Sequence, residues 1–168
     1  MKVFASRFAA LFCCLMLLTS SSFAATYKSA NGYSFTPPTG WQKLPNFGGS
    51  EILYRHSGGS NINVLSRALP TSNITVAQIR AASITQLRSS FKNYKLVAQG
   101  DTRLGGAPAG YLTSGYTMEG TGISMRVHQV FALRGSKLFV FTCTSSTAVY
   151  PRFSPIFQKT LRSVRWTR

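Results

Sequence analysis

Carboxylates are almost missing from this sequence: Glu51, Asp101 and Glu119 are its only acidic side chains, against nineteen lysines and arginines. General acid–base catalysis usually draws on carboxylates or histidines gathered in a cleft. The two histidines, His56 and His128, stand far apart in the chain from each other and from the acids. His56, His128 and Cys143 could supply at most three ligands to a metal, and no local spacing joins them. Cysteine is scarce as well. Cys13 and Cys14 fall in an apolar run near the start, which leaves Cys143 alone in the rest of the chain and excludes an intramolecular disulfide there. No Gly-x-Gly-x-x-Gly or phosphate-loop lysine is found, and Gly105 to Gly110 reads as a turn.

The one long apolar run, Phe8 to Leu18, follows the positive residues Lys2 and Arg7 and precedes Ser22 and Ala24, small residues at the −3 and −1 positions of a cut. This order predicts a signal peptide over residues 1–24, cleaved near Ala24. The run is shorter than the roughly 20 residues of a membrane-spanning helix. Ala10-Leu11-Phe12, not small residues, precede the two cysteines, which argues against lipid attachment. Residues 25–168 then form one domain, periplasmic or secreted, with no transmembrane segment.

What is abundant is positive charge. Removing Lys2 and Arg7 leaves 17 − 3 = +14 on the mature chain. Self-repulsion of that size opposes a compact state unless polyanions offset it. A basic proteome would give the same balance. The cations form no run, so they predict a broad field and not a local motif.

Hydrophobic residues make up 44% of the chain, enough for a packed core. Tyr33 to Thr36, Ile52 to His56, Asn61 to Leu69, Lys95 to Leu104, Tyr111 to Met118, Ile123 to Leu133 and Leu138 to Thr144 read as strands. Trp41 is expected to anchor packing. Thr75 to Phe91 reads as a helix with a Thr75–Gln78 capping box. Val76, Ile79, Ile84, Leu87 and Phe91 share its apolar face, and Arg80 falls on the same arc. Either Arg80 snorkels from the core edge, or it is held for an anionic ligand or a scarce acid. Ser154-Pro155 predicts the start of a second helix. Ile156, Phe157, Leu161 and Val164 would line its buried side, and Arg162, Arg165 and Arg168 would charge its end. The expected fold is α+β: an antiparallel β-sheet flanked by helices on both faces, an α/β/α sandwich.

Gly32-Tyr33-Ser34-Phe35 with Pro38 and Gly40-Trp41, Leu104 to Ala109, and Phe157 to Trp166 resemble, in order and spacing, the Mog1/PsbP-like superfamily, including the DcrB-like periplasmic proteins. The resemblance implies this sandwich and a non-catalytic binding or assembly role, with partners that differ between members. It assigns no functional residues, because such members share a fold and not a site.

A two-residue turn at Gly135-Ser136 would set the pairing so that residue numbers sum to 271, with His128 opposite Cys143. A Cys–His pair can form a reactive thiolate, but no third residue orients the histidine. Tyr54, Tyr94, Tyr111, Tyr116 and Tyr150 lie near basic residues, a pattern that serves single-stranded nucleic acid; an extracytoplasmic place makes that partner less expected. The reading is a binding module without a cofactor. It would dock on an anionic envelope component (lipopolysaccharide, anionic lipid or polysaccharide) or an acidic protein. The candidate contacts are Arg55, Arg67, Arg80, Arg126, Arg134 and Lys137. A structural subunit of an envelope or secretion assembly, or a thiol enzyme of Cys143 and His128, are the alternatives.

Overall fold

The computed structural model describes residues 25–71 and 73–167; the leader expected over residues 1–24 lies outside them. The elements in chain order are β1 (Tyr27–Ser29), β2 (Tyr33–Phe35), β3 (Gln42–Pro45), β4 (Ile52–Arg55), β5 (Asn61–Ala68), α1 (Val76–Ser90), β6 (Lys95–Leu104), β7 (Ala107–Thr117), β8 (Ser124–Arg134), β9 (Lys137–Ser146), α2 (Tyr150–Arg162) and β10 (Arg165–Trp166). A seven-stranded antiparallel sheet runs β3-β4-β5-β9-β8-β7-β6, and β1-β2-β10 form a small second sheet.

Alternation along β9 explains the layers. Leu138 and Val140 point to one face, where Ile79, Ile84 and Leu87 of α1 pack with Leu112 and Phe131. Phe139, Phe141 and Cys143 point to the other, against Phe153, Phe157 and Leu161 of α2 and against Tyr33 and Phe35 of the small sheet. Tyr33 meets Phe139 and Phe141 edge-on, with ring centres 5.6 and 5.5 Å apart, an arrangement that aromatic quadrupoles favour. The expected helices on both faces are thus present. The small sheet shares the α2 face; its strands β1 and β10, and the edge strand β3, are too short for the sequence pattern to reveal.

The capping box forms as the spacing predicts: Gln78 N donates to Thr75 Oγ1 at 3.2 Å and Thr75 N to Gln78 Oε1 at 2.8 Å. The β8–β9 pairing follows the expected sum, with Arg134 opposite Lys137 and His128 opposite Cys143. The larger boundary differences lie at α2 and at the glycine turn. The second helix begins at Tyr150, not Ser154, with Pro151 in its first turn and Pro155 inside it. Pro155 removes one backbone hydrogen bond, yet the earlier turn brings Phe153 into the core beside Trp41 and His56. That helix ends at Arg162, so Arg165 lies in β10. The expected Gly105–Gly110 turn shrinks to Gly105-Gly106, both at positive φ, and residues 107–110 open β7. A glycine at 110 in mid-strand has a steric reason: a Cβ there would sit 2.6 Å from Val76 Cγ1 of α1.

Candidate functional site

Helix α2 lies over β9 and stops at Arg162, leaving the same face of β6, β7 and β8 partly open. The opening is a cleft of about 620 Å³ between Gln158, Leu161, Arg162 and Arg165 on one side and Thr102, Tyr111, His128 and Val130 on the other. The Gly105–Gly106 turn closes one end, with Arg103 beside it. Trp166 braces that turn by donating from Nε1 to Leu104 O at 2.8 Å.

Among the described residues, three arginines border the cleft and no carboxylate does. Arg165 is fixed by the helix terminus: its Nη1 donates to Arg162 O at 2.8 Å and Val164 O at 2.7 Å, carbonyls at the negative end of the helix dipole. Arg103 Nη1 donates to Gly106 O at 2.9 Å. Each guanidinium has five N–H donors, so both keep several for a ligand. Arg162 is exposed. Deeper in, His128 Nδ1 lies 2.9 Å from Thr113 Oγ1, and its ring sits beside that of Tyr111. Burial pushes the His128 pKa below its ordinary value, which keeps the imidazole neutral at pH 7. The charge offered to a ligand therefore comes from arginine, and the histidine and tyrosine supply a polar, aromatic wall.

The acids elsewhere explain why this charge stays unopposed. Asp101 pairs with Arg80, Oδ1 to Nη1 at 2.8 Å. Glu119 lies in an exposed turn. The Glu51 carboxylate accepts hydrogen bonds from Tyr27, Ser29, Asn31 and Ser66. Burial pushes its pKa up, but the bonds from Ser29, Asn31, Ser66 and Tyr27 outweigh burial and hold it below the ordinary glutamate value.

The six residues singled out from the sequence do not converge. Arg134 and Lys137 come together as cross-strand partners at the β8–β9 turn; Arg134 lies over the Trp166 ring at 5.5 Å, and Lys137 Nζ donates to Asn31 Oδ1 at 3.1 Å. Arg80 is held by Asp101 and by Gly100 O at 2.6 Å, so of its two readings the scarce acid is the one the side chain shows. Arg126 borders a separate depression with Tyr94 and Lys95. Arg55 and Arg67 sit on the α1 side of the sheet. The tyrosines proposed for base stacking are dispersed too: Tyr54 is buried and Tyr116 stacks on Phe91 at 4.1 Å. Cys143 is fully buried, and burial pushes its thiol far up, so beside a neutral His128 it stays protonated.

Arg103, Arg162, Arg165, Gln158 and Tyr111 were not read from the sequence as one site. Arg162 and Arg165 were visible as charges at a helix end, but their meeting with Arg103 depends on the β10 return and the Gly105-Gly106 turn. Among the described residues, no three His, Cys, Asp or Glu side chains gather as a metal site, and no helix is long and apolar enough to cross a membrane.

A family model described as DcrB matches residues 52–163. No curated protein matches the chain. Among solved structures, cyanobacterial PsbP (CyanoP) from Synechocystis sp. PCC 6803 superposes with a TM-score of 0.67 at 15% identity, covering 88% of this chain and 95% of that one. LpqN of Mycobacterium tuberculosis, described as involved in cell envelope biogenesis, gives 0.63 at 15%, covering 86% and 90%. A Pseudomonas aeruginosa protein of unknown function, PA94, described as a putative regulator, gives 0.54 at 19%, covering 83% and 94%. At these identities the likeness is one of fold, and that fold is PsbP-like.

Proposed function

We propose, for a chain that belongs to the DcrB family, the function of an exported, non-catalytic binding module that holds an anionic component of the cell envelope in its arginine-bordered cleft. The observation that carries this reading is the meeting of Arg103, Arg162 and Arg165 around a cleft in whose wall the described residues place no carboxylate. Guanidinium groups suit phosphate and carboxylate because their N–H donors form a planar fork. The described role of LpqN in envelope biogenesis supports the same compartment. Burial, which raises the Cys143 thiol and lowers the His128 imidazole, speaks against the thiol-enzyme alternative.

The test is binding to lipopolysaccharide, to anionic phospholipid vesicles and to an acidic polysaccharide, each at low and high salt. Binding to one of the three should weaken steeply as salt rises and fall about tenfold in Arg162→Glu, the size expected when an arginine–anion contact becomes repulsive. Salt-independent binding, or an Arg162→Glu protein that binds as the wild type does, would overturn the reading.

A further inference from the structure

The α1 face of the large sheet is only half covered. Helix α1 sits over β7 and β8 and its flank reaches Leu138 and Val140 of β9, while among the described residues no helix covers β5 and β4 on that face. Leu65 and Val140 stay half-exposed there. A groove of about 270 Å³ runs between them and the flank of α1, where Ala82 and Ser83 stand. Nearer the β3 edge, Phe47 is 56% exposed and borders a separate depression with Leu44, Leu53 and Arg55.

Spacing says what shape fits. Neighbouring strands are about 4.8 Å apart, so the β9–β5 seam lies about 10 Å from the β7–β8 seam that α1 occupies. Two packed helices stand 8–10 Å apart. A helix laid on the open seam would therefore touch both the sheet and α1, and the small side chains of Ala82 and Ser83 on the facing flank permit that approach. Charge says what chemistry fits. Arg67 is exposed near the end of β5, and Arg55 pairs in register with Asn61 at its start. Six residues of strand put them about 20 Å apart, which is the length of about 13 residues of helix. No carboxylate borders either depression. Under the groove, Gln129 Oε1 is buried without a hydrogen-bond partner while its Nε2 donates to Thr142 at 3.2 Å, which leaves an acceptor for a donor from above.

We infer that this shelf docks an amphipathic helix of a protein partner, with a Leu/Ala stripe against Leu65 and Val140 and an acidic side chain near each end for Arg55 and Arg67. This surface lies on the opposite side of the sheet from the arginine cleft and does not rest on the cleft's function.

The test titrates the purified protein with a stapled helical peptide of about 16 residues that carries such a stripe and has Glu at positions about 13 apart. A twin carries Lys at those positions. The acidic peptide should shift the amide resonances of Leu65, Ala82 and Val140 saturably, and the twin should bind about tenfold more weakly, as expected for two exposed ion pairs turned repulsive. In the double variant Arg55→Glu, Arg67→Glu, whose changes are on exposed side chains, the preference should reverse. Arg162→Glu should bind the peptide as the wild type does, which separates this surface from the cleft. No saturable shift at those residues with either peptide would overturn the proposal. So would an unchanged preference in the double variant, or protection of the same residues by anionic vesicles or by a second copy of the chain in place of the peptide.

Discussion

Tyr27 donates its hydroxyl hydrogen to Glu51 Oε1 at 3.0 Å across 24 residues of sequence, and so ties the short strand β1 to the start of β4. Asn31 and Ser66 donate to the other carboxylate oxygen at 2.9 and 2.8 Å. In a chain this rich in cations, the most heavily bonded carboxylate has no cation partner among the described residues. Its pKa is held below the ordinary 4.5, so on acidification the unfolded chain takes up a proton first. The stability this group contributes is present above pH 4.5 and is lost as the pH falls through its lower folded value. Tyr27, in turn, is pushed up to about 12, by burial first and then by Glu51. Glu51→Gln puts an amide where only acceptors fit and should cost about 2 kcal/mol at pH 7, the size of a hydrogen bond to a charged group. Urea unfolding at pH 7 and pH 3 checks it: the difference between wild type and variant should shrink at the lower pH.

Gly110 is a point of close approach between α1 and the sheet. Gly110→Ala places a methyl 2.6 Å from Val76 Cγ1 and 3.1 Å from Arg80 Nη1. Overpacking of this kind costs about 1–3 kcal/mol. Thermal unfolding should show that loss, and Val76→Ala in the same chain should recover part of it. Independent effects of the two changes would mean that α1 does not rest on Gly110.

The sequence carried the long elements because their periodicity and punctuation agree. Thr75 and Gln78 mark the α1 start, and the Gly135-Ser136 turn sets the β8–β9 register to the residue. It misplaced the α2 start because Ser154-Pro155 is a strong local signal that the packing of Phe153 overrides. The candidate site was the least legible part. Arg103, Arg162 and Arg165 are separated by strands, a turn and a helix, and only the tertiary return of β10 joins them. The basic composition was plain, but composition assigns charge to no particular surface.

The pair of Arg80 and Asp101 separates two contributions that look like one. Asp101 is 86% exposed while the Arg80 side chain is 16% exposed. An exposed ion pair contributes little, so Asp101→Asn should cost under about 0.5 kcal/mol. Arg80 also donates to Gly100 O at 2.6 Å and lies across Gly110. Arg80→Ala should therefore cost about 1–2 kcal/mol, through the lost backbone hydrogen bond and packing. Chemical denaturation of both variants checks the inequality; equal losses would place the energy in the ion pair.

Cys143 and His128 face each other in the β8–β9 ladder, and each is held in its neutral form by burial. A thiolate reacts, a thiol does not, so a disulfide reagent such as dithiobis-nitrobenzoate should leave Cys143 of the folded protein unmodified at pH 7 and modify it in denaturant. The histidine adds a pH signature. Its folded pKa is depressed below 6.5, so between 6.5 and that lower value the unfolded chain binds the extra proton and stability declines with acidification. Glu51 adds a second decline only below 4.5. His128→Gln should remove the upper decline and keep the lower one. Fast thiol labelling of the folded protein would restore the reactive pair that the burial argues against, and an upper decline that survives His128→Gln would assign that decline to another group.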